Sequence, residues 1–388
     1  MIQNSISDNR IVWLDVIRCV AMIMVIGVHC IDPFYISPTM RAIPEYTHWA
    51  AIYGSLLRPS VPLFVMMTGL LLLPVKKQPL GKFYKKRIYR VLFPFLIWSV
   101  LYSMFPWVTG VLGLPKEIIG DFFCYTQGQE SQSLIDSLKD VAMIPFNFSH
   151  KENHMWYIYL LIGLYLYMPF FSAWIENADR KTKRAFLLIW IISLFIPYLK
   201  EYVANCLFER SGYVFGTDTW NEFGLFYYFA GFNGYLLLGH YVKKGNDWSL
   251  MKTFILCILM FAVGYYITYT GFSTTASNPN ATETEMELFF TFCPNVLLMT
   301  LATFLLLQKV VITNSTVIKV LANMTQCGFG IYMVHYFVVG PFFLLIGPSS
   351  LPIPLQVPLM AICIFLCSWA FTALIYKLMP QKAVWFMG

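Results

Sequence analysis

Apolar residues in this chain come in runs of about 20, separated by short polar stretches, with no sustained alternation of apolar and polar positions. A helix of about 20 residues rises roughly 30 Å, the thickness of a bilayer's hydrocarbon core. The pattern therefore predicts an all-α, polytopic membrane protein of ten transmembrane helices around a central cavity. The expected spans are 11–31, 51–73, 91–109, 154–174, 185–203, 223–242, 250–270, 287–308, 322–346 and 355–378, within a single integral-membrane domain over residues 1–388. The first run is too long for a signal-peptide core and no A-x-A-like site follows it, so it is expected to remain as the first span. No fixed-period repeat interrupts the series.

Composition agrees with this reading: 58% of residues are hydrophobic and 12% charged, about half the charged share of a soluble domain. The net charge of +7 does not point to nucleic acid, because Lys and Arg gather in short clusters between the apolar runs. With a cytoplasmic N-terminus, 19 of the 27 cations fall in inward-facing segments and six in outward-facing ones, while Arg18 and Arg58 lie inside spans. That asymmetry places both termini in the cytoplasm; the expected location is the cell (inner) membrane. Nine cysteines form no CxxC pair, and no metal site is expected. Cys124 and Cys206 fall in outer polar stretches, which leaves a disulfide between them open if that side is oxidising. Tyr and Trp near span ends read mainly as interface anchors. Those facing an outer cleft would stack on sugar rings, and the sequence does not say which they are.

Candidate chemistry begins in the first span, IVWLDVIRCVAMIMVIGVHCI, which carries Asp15, Arg18 and His29. Each charged group near a bilayer centre costs at least about 2.5 kcal/mol, so such groups usually face protein or a wet cavity. At roughly 100° per residue, His29 returns to within about 20° of the face of Arg18, some 16 Å further along the axis. Asp15 lies one turn before Arg18. The plainer alternative is an Asp15–Arg18 pair at the headgroup boundary and a packed histidine at the other end.

Other stretches add to this stripe. Arg58 sits inside the second span in RPSVPLF, beside Pro59 and Pro62, which free backbone carbonyls and kink a helix; Asp15, ligand oxygens or those carbonyls are its candidate partners, against snorkelling to the headgroups. Arg87 and Arg90, three apart at the cytoplasmic mouth of the third span with Lys85 and Lys86 beside them, suit a phosphorylated ligand or serve as an ordinary topology anchor. His154 and Trp156 open the fourth span from outside, at about the depth of His29, and His335 lies several turns inside the ninth. Three histidines would then converge in the outer half of the bundle; singly, each reads as a packed histidine.

These pieces together resemble the membrane acyltransferase-3 family, which O-acylates extracytoplasmic carbohydrates. The likeness rests on Arg18-(ten residues)-His29, RPSVPLFVMMTGLLLL, KKRIYRVLFPFLIW, HMWYIYLLIGLYLYMP and CGFGIYMVH, in the family's order over about residues 11–378. Thr68 and Cys327 stand where members more often carry Ser, or Ser or Thr. The nearest likeness is to stand-alone members without a fused extracytoplasmic domain. The resemblance implies acetyl-CoA as donor, held by Arg87, Arg90 and Lys86, and a cell-envelope or lipid-linked glycan as acceptor. It further implies His29 as general base, with Asp15 holding Arg18, and Arg58, His154, Trp156 and His335 around the substrates. A secondary transporter or flippase for a glycolipid or small anionic solute is the competing class, since intramembrane Arg and His and broken helices also serve transport.

Overall fold

The computed structural model describes residues 10–113, 132–148, 150–200, 224–245, 247–291, 293–347, 349 and 351–388. Among them the principal helices are α1 (Val12–Ile36), α2 (Pro44–Leu57), α3 (Ser60–Leu72), α4 (Leu80–Val111), α5 (Trp156–Asn177) and α6 (Arg180–Ser193). They continue with α7 (Asn233–Tyr241), α8 (Leu250–Ala276), α9 (Pro294–Leu307), α10 (Ser315–Gln326), α11 (Gly328–Ile346) and α12 (Ile353–Leu378). Every regular element among the described residues is helical. Seven helical segments are long and apolar enough to cross a membrane, or eight if one bent pair forms a single span. The chain is a multi-pass membrane protein.

The departures from the expected spans have local causes. The expected span 51–73 falls within one membrane-long segment, Pro44–Leu72, whose hydrogen bonding is interrupted at Arg58–Pro59, between α2 and α3, because proline has no N–H to donate and crowds the preceding turn. The stretch 287–308 divides into a short 3₁₀ turn, Leu288–Phe290, and α9, with a 41° bend between them. The stretch 322–346 divides at Cys327 into the end of α10 and all of α11. Helices α6 and α7, of 14 and 9 residues, are too short to cross alone. The expected spans 185–203 and 223–242 that contain them run into residues outside the described set, as do Cys124 and Cys206.

Helix α1 is the inner element, packed against α2, α3, α9, α10, α11 and α12. Its apolar residues are buried on more than one face, including Ile17, Ala21, Ile26, Ile31 and Phe34. The peripheral helices are built the other way round. Along α8 the buried positions are Thr253, Cys257, Gly264, Thr268 and Phe272, while Phe254, Ile258, Val263 and Tyr266 are exposed. Lipid is as apolar as leucine, so association here depends on close contact and hydrogen bonds between small and polar residues. Accordingly Asn295 Nδ2 on α9 donates to Thr268 Oγ1 at 2.7 Å, and a Cβ on Gly264 would lie 2.5 Å from the Asn295 carbonyl oxygen.

The closest backbone approach joins α3 and α7. A Cβ on Gly69 would lie 1.9 Å from the Leu236 carbonyl oxygen, and one on Gly239 would lie 2.0 Å from that of Met66. Two glycines thus let the helices touch main chain to main chain. Gly69→Ala should lower thermal stability in detergent by an overpacking cost of about 1–3 kcal/mol, outweighing the roughly 1 kcal/mol that alanine gains in a helix. Gly81→Ala, at an exposed position of α4 with no heavy atom within 4 Å of the added Cβ, should not lower the midpoint. Equal melting of the two variants would show that the α3–α7 contact is not tight.

Candidate active site

His29 lies two turns before the end of α1, and its next turn supplies its partner. Nδ1 of His29 stands 3.0 Å from Oδ2 of Asp32. A carboxylate at Nδ1 keeps the proton on that nitrogen and leaves Nε2 with a free lone pair. The Tyr35 hydroxyl, one turn further, is 3.3 Å from Asp32 Oδ1 and donates to Glu287 Oε1 at 2.6 Å. A phenol has one proton, so the shorter contact to Glu287 takes it, and Asp32 remains a strong acceptor for the imidazole. The acid–phenol pair also ties α1 to the short helix Glu283–Glu287.

Two more imidazoles stand beside His29. Its ring centroid is 5.4 Å from that of His335 on α11 and 6.3 Å from that of His154, which lies in the 3₁₀ turn before α5. His154 and His335 are 5.3 Å apart, and the His154 ring stacks on Tyr336 at 4.4 Å. His335 holds its Nδ1 2.7 Å from the Tyr332 carbonyl oxygen, and the Tyr332 hydroxyl donates to the His154 carbonyl. Among the described residues, both nitrogens of His154 and Nε2 of His335 have no hydrogen-bond partner, although these residues are only 1% and 0% exposed. His29 retains 13% side-chain exposure, which makes it the accessible member of the cluster. No group of three His, Cys, Asp or Glu among the described residues is arranged to hold a metal ion.

The cations occupy two places. Arg58, at the α2–α3 break, donates from Nε to the Gly54 carbonyl at 3.1 Å, and its guanidinium lies 3.8 Å over the Phe290 ring. Gly54 makes that possible, since a Cβ there would meet Phe290 at 2.7 Å. Among the described residues its Nη2 is buried without a partner, and its charge reaches Tyr35 and Glu287. The Gly54 carbonyl is not one of those freed by Pro59 or Pro62, which are the Ser55 and Arg58 carbonyls, and Asp15 pairs elsewhere. Asp15 accepts instead from Arg10 Nε at 2.6 Å, with Arg18 Nη1 at 3.9 Å. Arg10, just ahead of α1, reaches the carboxylate in the first turn more closely than Arg18 does, so Asp15 serves both guanidiniums. Asp15 is remote from His29, about 21 Å along the helix axis. Arg18 packs its stem near Gly328, the glycine of CGFG. Arg87 and Arg90 on α4 share with Arg18 the electrostatic surroundings of the Tyr165 hydroxyl on α5. Lys86 is exposed. Trp156 faces Tyr157 and Phe232, and has no ring contact with the histidines.

A family model described as an acyltransferase domain matches residues 11–373, nearly the whole chain. The chain belongs to the membrane acyltransferase-3 family. No curated relative and no solved structure matches it.

Three polar residues of this acyltransferase's histidine cluster escape a reading of its sequence. Asp32 and Tyr35 fall just past the expected end of the first span at residue 31, where they pass for boundary residues. The signal that finds them is spacing, since positions i and i+3 of a continuing helix are neighbours. Glu287 has no such signal, because 252 residues separate it from Tyr35. Asp32→Asn replaces the carboxylate beside His29 Nδ1 by a neutral amide that can equally present its NH2, whereas Glu287→Gln reaches His29 through Tyr35 and the surroundings of Arg58 and Asp32. Acyl transfer should therefore fall further in Asp32→Asn than in Glu287→Gln. The reverse ranking, at equal amounts of folded protein, would remove Asp32 from its orienting role.

Proposed function

We propose that this acyltransferase moves an acetyl group from cytoplasmic acetyl-CoA to a hydroxyl of an extracytoplasmic cell-envelope carbohydrate. The observation that carries the reading is the His29–Asp32 pair, held 3.0 Å apart on the same helix as Arg18. The positive-inside charge distribution supports the sidedness, and the shared surroundings of Arg18, Arg87 and Arg90 support one cationic entrance.

In this reading Arg87 and Arg90 hold the donor's phosphates, with Lys86 nearby, and the pantetheine arm runs past Arg18 toward His29. Nε2 of His29 takes the proton from the acceptor hydroxyl as its oxygen attacks the thioester carbonyl. Negative charge gathers on the carbonyl oxygen in the transition state, and Arg58 or Arg18 is the cation for it. As the tetrahedral intermediate collapses, the C–S bond breaks and the thiolate recovers the proton from His29. The products are the O-acetyl ester and free CoA, with no net proton to dispose of. His154 and His335 line the reacting region, and their unpaired nitrogens are free to hydrogen-bond substrate oxygens.

His29→Ala should leave an inserted, folded protein whose transfer rate falls roughly 10²–10⁴-fold, the contribution of a positioned base. A variant keeping more than about a tenth of the rate would exclude His29 as that base. Replacing Arg87 and Arg90 by Ala should chiefly raise the KM for acetyl-CoA, because a phosphate contact remote from the thioester binds ground and transition states alike. In oriented proteoliposomes, acetyl-CoA should act only from the Arg87 side and the glycan only from the other. Protein-dependent passage of unmodified glycan would establish a transporter instead.

A further inference from the structure

Helices α5 and α6 are joined by residues 178–179 alone, so they run antiparallel as neighbours. Their facing sides do not close on each other. Between the last turns of α5 and the first turns of α6 lies a cavity of about 490 Å³, within the roughly 300–1,000 Å³ of ligand sites. On α5 its wall is Tyr167, Phe171 and Trp174, whose rings stack in turn at 4.9 and 5.2 Å. On α6 it is Phe186, 5.3 Å from Trp174, with Ala185 beside it as the small side chain that keeps the gap open. Tyr167 and Phe170 at the rim are 38% and 66% exposed, so the groove opens sideways. In a bilayer such a lining takes hydrocarbon. Lipid tails are alike, so any selection has to come from the mouth.

The mouth is basic. Thr182 lines it, and Lys181 and Lys183 stand about 100° to either side of Thr182 on the first turn of α6. Four of the first five residues of α6 are cations, namely Arg180, Lys181, Lys183 and Arg184. Cations in a first turn oppose the helix dipole, and an anion seated over the turn offsets both terms. Arg180 and Arg184, on the opposite face, aim Nε at the Tyr241 hydroxyl of α7 at 3.2 and 3.5 Å. Among the described residues neither pairs with a carboxylate. They fasten the turn to α7 and add to its positive charge. Of the two nearby acids, Asp179 is engaged as the cap that accepts from the Thr182 N–H at 2.7 Å. Glu176 lies about 200° round α5 from Trp174, away from the groove.

We propose that this groove binds an anionic phospholipid, with one acyl chain along Phe171, Trp174 and Phe186 and the phosphate between Lys181 and Lys183. Charge complementarity at the mouth and an apolar lining below it are the two halves of that ligand. Neither half depends on the acyl-transfer reading.

The test is native mass spectrometry of the full chain in detergent, titrated with dioleoyl phosphatidylglycerol or dioleoyl phosphatidylcholine. Wild type should bind one phosphatidylglycerol about tenfold or more tightly than phosphatidylcholine, the preference that two surface cations supply. Lys181→Gln with Lys183→Gln should bring the two lipids to equal affinity. Ala185→Trp, which fills the groove, should weaken both about tenfold. Should Ala185→Trp not fold, the double lysine variant decides alone. Equal affinities in wild type, or a preference that survives loss of both lysines, overturn the site. Displacement of phosphatidylglycerol by free CoA would assign these cations to the donor's phosphates and overturn it as well.

Discussion

Polar groups on α1 sit among apolar helices, where an unpaired charge or donor costs several kcal/mol and water is not at hand to meet it. The rest of the architecture answers that constraint. Asp15 is met by Arg10 and Arg18, His29 by Asp32, and Tyr35 by Glu287. Each partner comes from α1 itself, from the residues just ahead of it, or from an element brought against it. The exceptions are then informative. Among the described residues, His154, Nε2 of His335 and Nη2 of Arg58 are buried without partners, and the two histidines flank His29, the accessible member of their cluster. Buried polar atoms left open in this way are uncommon in a packed interior.

Holding these groups in place depends on how helices associate in lipid. No hydrophobic gain separates a buried apolar face from a lipid-facing one, so closeness has to come from small residues and from breaks in the helices. Gly69 and Gly239 bring α3 and α7 into main-chain contact, and Gly54 admits the Phe290 ring beneath Arg58. The α2–α3 break at Pro59 leaves the guanidinium bonded to a carbonyl of its own helix instead of a carboxylate. A substitution at one of these glycines would act on the site from a distance, by changing where a helix can sit.

Helix α1 has different surroundings at its two ends. At its start Arg18 shares the neighbourhood of Tyr165 with Arg87 and Arg90, and past its other end lies a cavity bordered by Ile36, Arg41 and Tyr269.

The sequence by itself determined that the chain is helical and membrane-embedded, because runs of about 20 apolar residues have few other solutions. It also singled out Arg18 and His29, since their spacing is a property of one helix and needs no tertiary information. The Arg87–Arg90 pair was legible for the same reason. Tertiary structure alone decided what depends on contacts between distant segments: Glu287 beside Tyr35, Phe290 beneath Arg58, and His154 and His335 around His29. Trp156, next to His154 in sequence, turned elsewhere once its helix was placed. Hydropathy also overran the helix break at Cys327, because it registers apolar length while a break follows from local backbone chemistry and from what packs against it.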